Sequence, residues 1–163
     1  FNVLLKGILV SFIIVGLVLI SYGQDLAGTI EKNKIRKSDI FTGIGIIPMF
    51  GHVSINYEFF YSEHPNKTFK RRGLKFGAGV YQYYDDGSLN VILSYMCFTG
   101  DKNNHFELGL GVAYLHFLSR SIKYVVPAPC IGYRYQKPDG KFIFRTGIGF
   151  PELAYLGIGY AFN

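Results

Sequence analysis

Tryptophan is absent from the 163 residues, and cysteine occurs only twice, at Cys97 and Cys130. Two cysteines without a C-x-x-C pair or a third ligand nearby exclude a disulfide framework and argue against a zinc site. A single disulfide in an oxidising compartment stays open. Charge is also scarce: Asp, Glu, Lys and Arg make up 17% of the chain, against ~25% in an ordinary globular domain. That shortage argues against a disordered tail or a coiled coil. Acidic residues number 11 against 17 basic ones, a net charge of +6. Most of the basic residues fall in two short clusters, not along a stripe, so no nucleic-acid partner is expected. Helix-period patterning of useful length is missing from Ile40 onward, and in the polar stretch 25–38 a short helix is only the alternative to a loose leader. Aromatic residues and glycine are abundant: 15 Phe, 13 Tyr and 20 Gly, the glycines without a collagen period. Aromatic enrichment favours β structure, and the length suits one domain.

The first segment reads as an address. Phe1 to Gln24 carries one charge, Lys6, ahead of the apolar stretch GILVSFIIVGLVLI over residues 7–20. Ser21-Tyr22-Gly23 follows, small at the −3 and −1 positions of a cut after Gly23. A basic start, an apolar middle and a small-x-small end describe a secretory signal peptide over 1–23. The rival is an uncleaved anchor, because residues 7–24 form an uncharged run of 18, at the lower edge of a helical span. No cysteine stands at the cut, so a lipoprotein anchor is not supported. Residues 24–39 are polar and basic and read as a periplasmic N-terminal segment.

From Ile40 the pattern becomes segments of about ten residues separated by turn residues. Strands are expected near 40–47, 52–61, 74–84, 89–98, 105–118, 124–136, 141–150 and 153–162. The turns lie at Pro48–Gly51, Ser62–Gly73, Asp85–Gly87, Gly100–Asn104, Ser119–Lys123, Lys137–Gly140 and around Pro151. Asp86-Gly87 and Pro138-Asp139-Gly140 supply tight-turn chemistry, and short turns make sequence neighbours antiparallel. The uncharged run Ile40–Tyr57 is not a helical span, since Gly43, Gly45, Pro48 and Gly51 interrupt it.

Alternation decides which way the sheet faces. Phe106, Leu108, Leu110, Val112 and Tyr114 oppose Glu107, Gly109, Gly111 and Ala113. Phe142, Phe144, Ile148 and Phe150 oppose Lys141, Arg145, Gly147 and Gly149. Leu156, Ile158, Tyr160 and Phe162 oppose Gly157, Gly159 and Ala161. A face of glycine and alanine with a few charges makes a poor water-facing coat but suits a narrow interior, so the bulky face is placed toward lipid. Strands of ~9–11 residues match a tilted membrane crossing. Lipid demands closure, because an open edge strands backbone groups. The expected fold is therefore all-β: a closed antiparallel up-and-down transmembrane β-barrel of about eight strands over 40–163, both ends in the periplasm of a Gram-negative cell. At eight strands the interior is filled, not open.

Three stretches carry a family resemblance. Asn104-His105-Phe106-Glu107-Leu108-Gly109-Leu110-Gly111-Val112 is similar to a strand of small outer-membrane β-barrel proteins of the Bacteroidetes group. Gly132-Tyr133-Arg134-Tyr135-Gln136, then Pro138-Asp139-Gly140-Lys141-Phe142 and Phe144-Arg145-Thr146-Gly147, resembles their next hairpin. Gly157-Ile158-Gly159-Tyr160-Ala161-Phe162 resembles their ending. The likeness covers most of 52–163. It implies an outer-membrane location and no known activity. The chain ends Phe-Asn where a bare terminal Phe is usual.

Alternation places Glu58, Lys75, Glu107, Arg134 and Arg145 on the inner face. Charges inside a narrow barrel must be paired or wetted, and Glu107, Arg134 and Arg145 lie on consecutive strands toward one end. A carboxylate–guanidinium cluster is expected, either as a plug or as a gate. Leu156, Ile158, Tyr160 and Phe162 form the expected closing strand and the signal read by the outer-membrane assembly machinery. Five G-x-G pairs lack the third glycine and the helix of a nucleotide fingerprint, and read as inner-wall glycines. His52, His64, His105 and His116 show no metal spacing, and no cofactor is implied. The basic run Lys67, Lys70, Arg71, Arg72 is placed in the longest turn.

The sequence reading is a small outer-membrane barrel with a structural or interaction role, in contact with outer-membrane lipid. One alternative is a lipid-modifying enzyme, acyl hydrolase or acyltransferase, which needs a nucleophile, base and acid at the outer rim; His116 and Ser119 are three apart, on opposite faces. Another is a secreted lipocalin-like carrier, which would put Gly147 and Gly149 on the water-facing surface. No catalytic residue is assigned, and oligomeric state stays open.

Overall fold

A computed structural model describes residues 37–47, 50–63, 68–83, 86–100, 103–138 and 140–162. The expected signal peptide, and all of the polar leader before Lys37, lie outside the described residues. The described residues form nine strands and no helix: β1 Ser38–Ile47, β2 Phe50–Glu63, β3 Phe69–Tyr83, β4 Asp86–Thr99, β5 Asn104–Phe117, β6 Ile122–Pro127, β7 Cys130–Tyr135, β8 Phe142–Gly149 and β9 Leu153–Phe162. Every pairing is antiparallel. The order runs β4-β3-β2-β1-β9-β8-β7-β5-β6, and β4 also pairs β5, which closes the ring. Closure between first and last strands is made by β1 and β9, from Ser38 opposite Phe162 to Ile46 opposite Ala154.

The ring has eight walls because β6 and β7 are two pieces of one. Both pair with β5, β6 through Val112–Phe117 and β7 through Asn104–Gly109. The single strand expected over 124–136 breaks between Pro127 and Cys130. Pro127 and Pro129 lack the N–H that a ladder uses. Between them the Ala128 N–H still donates to the Gly111 carbonyl at 2.8 Å.

Two other expectations shift. β1 begins at Ser38, so Asp39 belongs to the barrel and not to the leader. β3 begins at Phe69, so Lys70, Arg71 and Arg72 extend a strand instead of filling a turn. The β2–β3 arms continue past a register shift between Phe60 and Ser62, with Ser62 opposite Arg72 and Glu63 opposite Arg71.

The wall is turned inside out relative to a soluble barrel. Leu110, Val125, Ile148 and Phe142 are 66%, 71%, 62% and 57% exposed, while Glu58 and Glu107 are 0% exposed. Bulky apolar side chains outside and carboxylates inside is the arrangement hydrocarbon selects. The inner face is not wholly polar. Phe60, Met96, Phe98 and Cys130 pack together inside, and Ile92, Ala113 and Ala128 form a second apolar cluster. Wall height is uneven: β2 to β5 run 14, 15, 14 and 14 residues, but β8 only 8.

Candidate functional site

All five charged residues assigned to the inner face lie there, each no more than 6% exposed. Four of them are joined by ion pairs, together with Asp39. Arg134 on β7 contacts the Asp39 carboxylate on β1 and reaches Glu58 Oε2 on β2 at 2.7 Å. Arg145 on β8 takes the other oxygen of Glu58 at 2.7 Å, and its Nη2 lies 2.7 Å from Glu107 Oε2 on β5. Its Nε donates to Glu107 Oε1 at 3.0 Å, so this contact is one charged hydrogen bond beside a second close approach of opposite charges, with Oε2 accepting no hydrogen bond of its own. The result is a chain Asp39–Arg134–Glu58–Arg145–Glu107. In the eight-walled ring, β2 and the β6–β7 wall are opposite. The Arg134–Glu58 pair therefore crosses the lumen and does not run along the wall.

Each guanidinium also has an aromatic neighbour. Arg134 lies 5.1 Å from the Phe98 ring centroid and 5.4 Å from Phe60, and Arg145 lies 4.0 Å from Phe41. Stacking on ring faces fixes the fork in place while the carboxylates take the donors. The remaining Arg134 Nε donates to Gln136 Oε1 at 3.0 Å. Three carboxylates against two guanidiniums leave one negative charge, and Lys75, opposite Glu58 in register, brings the balancing positive one. Buried charge is tolerated only when paired in this way.

Glycine makes the space. A Cβ at Gly147 would sit 2.7 Å from both Tyr155 Oη and the Gly132 Cα. Tyr155 can lie across this part of the wall only because residues 132 and 147 carry no side chain. Beside Arg145, a small cavity is bounded by Phe41, Ser54, Asn56, Lys75, Glu152 and Tyr155 among others. Nearer the end opposite the termini, His52 stacks on Tyr81 at 4.1 Å and its Nε2 lies 3.4 Å from Asn90 Oδ1.

Sequence reasoning misses Asp39, Gln136, His52, Asn90, Glu152 and Tyr155. The parity of His52, Ser54, Asn56 and Glu58 on β2 is the signal that finds the first layer, since all four are buried. Asp39 shares the parity of Phe41 and Gly43 and is lost when the strand is started one residue late. Glu152, expected in a turn, is 6% exposed. On the closing strand Leu156 and Ile158 face outward as expected, at 45% and 52% exposed. Tyr160 does not fit the open band: it is 7% exposed, with the Lys141 ammonium 5.5 Å from its ring centroid. Phe162 is half-buried, 6.2 Å from the Tyr57 ring.

Two of the histidines spend a ring nitrogen on an amide or a carbonyl. His52 meets the Asn90 amide, and His105 Nδ1 donates to the Thr99 carbonyl at 2.7 Å. His116 is half-buried on β5, and His64 lies outside the described residues. Among the described residues no three or more His, Cys, Asp or Glu group as metal ligands. Cys97 and Cys130 are both free.

No protein-family model matches the chain, and no curated protein sequence matches it. Among solved structures, that of the outer membrane enzyme PagL is similar at 13% sequence identity and a TM-score of 0.44, covering 77% of this chain and 99% of PagL. The barrel assignment rests on the strand pairing above and not on this likeness.

Proposed function

We propose that the protein is a small outer-membrane barrel with a structural or interaction role, its lumen closed by a side-chain plug. The observation that carries this reading is the Asp39–Arg134–Glu58–Arg145–Glu107 chain, whose central pair crosses the lumen at 2.7 Å. A barrel of eight strands has an interior that side chains fill, and here they fill it with paired charge. The apolar exterior supports contact with outer-membrane lipid. The full β1–β9 register supports closure by the last strand, which would also be the element the assembly machinery reads. The likeness to small outer-membrane barrels of the Bacteroidetes group implies the same location and no activity.

The test is fractionation followed by electrophysiology. The protein should co-sediment with outer membrane, show heat-modifiable mobility on gels, and give no conductance steps in planar bilayers. Stepwise conductance would overturn the plug. Recovery in a soluble fraction would overturn the membrane location.

A further inference from the structure

Among the described residues, β6 has a partner on one side only. Its six residues, Ile122–Pro127, pair with β5, and it stands at the end of the strand order. The wall that would flank it, β8, ends at Gly149, where Phe150 N–H donates to the Pro129 carbonyl at 2.9 Å. The barrel is therefore notched: β5 and β6 rise on one side, and the short β8–β9 turn lies low on the other. An open ladder edge facing hydrocarbon is costly unless a polar group meets it.

A second feature lies at the floor of the notch. An apolar groove of about 770 Å³ runs over the outer wall, lined by Leu108, Pro129, Ile131, Ile148, Phe150 and Leu153 among others. That volume is within the ~300–1,000 Å³ range of ligand sites. Its rims are residues of the lipid-facing band, Ile148 at 62% and Ile131 at 40% exposed. A third feature is charge. Residues 118–127 contain Arg120 and Lys123 and no acid, and both are exposed. Lys123 pairs in register with His116 and shares the outer face with Val125, which is 71% exposed. A lysine directly above an apolar surface snorkels toward headgroups.

An apolar trough, an unpaired polar edge and two positive charges follow one another along one wall. We propose that the notch between β6 and the β8–β9 turn binds one anionic membrane lipid. An acyl chain lies in the groove over Ile131 and Ile148, the ester region meets the open edge of β6, and the anionic headgroup reaches Lys123 and Arg120. The inference rests on the membrane-spanning reading. It adds a specific site to a surface that otherwise only contacts bulk lipid.

The lack of tryptophan makes the site addressable. Phe150→Trp places a single fluorophore in the groove, and Phe76→Trp places one on β3, across the barrel, where Phe76 is 49% exposed. Each full-length variant is first checked for heat-modifiable mobility. It is then reconstituted in vesicles mixing phosphatidylcholine and phosphatidylglycerol, with one or the other brominated. At Phe76→Trp the two lipids should quench equally. At Phe150→Trp brominated phosphatidylglycerol should be preferred by about fivefold per basic residue in reach of its headgroup. Adding Arg120→Gln and Lys123→Gln should return the preference to that at Phe76→Trp. Quenching at both positions with no anionic preference at Phe150→Trp overturns the site and leaves the barrel reading intact. No quenching at either position overturns the membrane reading itself. A preference that survives both glutamine substitutions overturns the assignment of the headgroup contacts.

Discussion

Arg134 and Glu58 stand on opposite walls of the barrel, 76 residues apart in sequence, and meet across the lumen at 2.7 Å. Glu58 is shared, since its second oxygen holds Arg145 at the same distance. One carboxylate thus ties β2 to both β7 and β8, which no ladder connects to it. Backbone pairing closes the ring; this side-chain chain braces it across its diameter.

Removing the shared carboxylate should therefore hurt most. Glu58→Gln leaves two buried guanidiniums short of a charge and should cost about 3–5 kcal/mol. Glu107→Gln should cost less, because Arg145 keeps Glu58. An exposed change such as Lys137→Gln should stay within ~0.5 kcal/mol. Urea unfolding in detergent micelles, followed by heat-modifiable mobility, gives the ranking. Equal losses for Glu58→Gln and Lys137→Gln would contradict a buried brace.

Arg145→Lys should not be tolerated as a conservative change. The planar guanidinium fork donates through Nε to Glu107 and through Nη1 to Glu58, keeps Nη2 2.7 Å from the second Glu107 oxygen, and lies 4.0 Å from the Phe41 ring centroid. An ammonium cannot reproduce the fork, and the loss should be about 1.5–3 kcal/mol for the charged hydrogen bonds it drops. The same micelle unfolding experiment reads it. A lysine variant as stable as the parent would mean the geometry of the fork is unimportant.

Gly147→Ala should destabilise through contact alone. Its new methyl would meet the Ile131 carbonyl oxygen and, at 2.7 Å, Tyr155 Oη. The cost expected of such overpacking is about 1–3 kcal/mol. Adding Tyr155→Phe should recover part of it, not all, because the backbone oxygen remains. Gly51→Ala is the control, with nothing within 4 Å of its added carbon, and its unfolding midpoint should match the parent.

Deleting residues 160–163 should abolish membrane assembly. The cut removes the pairs of Tyr160 with Ile40 and Phe142 and of Phe162 with Ser38. It leaves the start of β1 without its partner in a medium that cannot hydrogen-bond to it. Membrane fractionation of the truncated chain should show loss of the heat-modifiable species. Normal insertion would refute closure by β9 as the limiting requirement.

The alternation of bulky and small residues in β5, β8 and β9 is enough to assign inside and outside, because the strand period is two and a charge at mid-depth on the lipid face is costly. That parity places Glu107, Arg134 and Arg145 in the lumen from the sequence. It cannot pair them. Of the cluster expected among Glu107, Arg134 and Arg145, the structure pairs Arg145 with Glu107, while Arg134 turns to Asp39 and Glu58, because a long side chain in a narrow barrel reaches the far wall as easily as the near one.

Strand number, antiparallel order, face polarity and the inner location of the charges follow from local rules of period, turn chemistry and solvation, and these are written residue by residue in the chain. Partner choice inside the lumen, the notch above Pro129 and the covering of Tyr160 by Lys141 depend on wall height and strand register. Those emerge when β9 closes on β1, since only closure sets which residues share a level across the barrel and which edge is left without a neighbour.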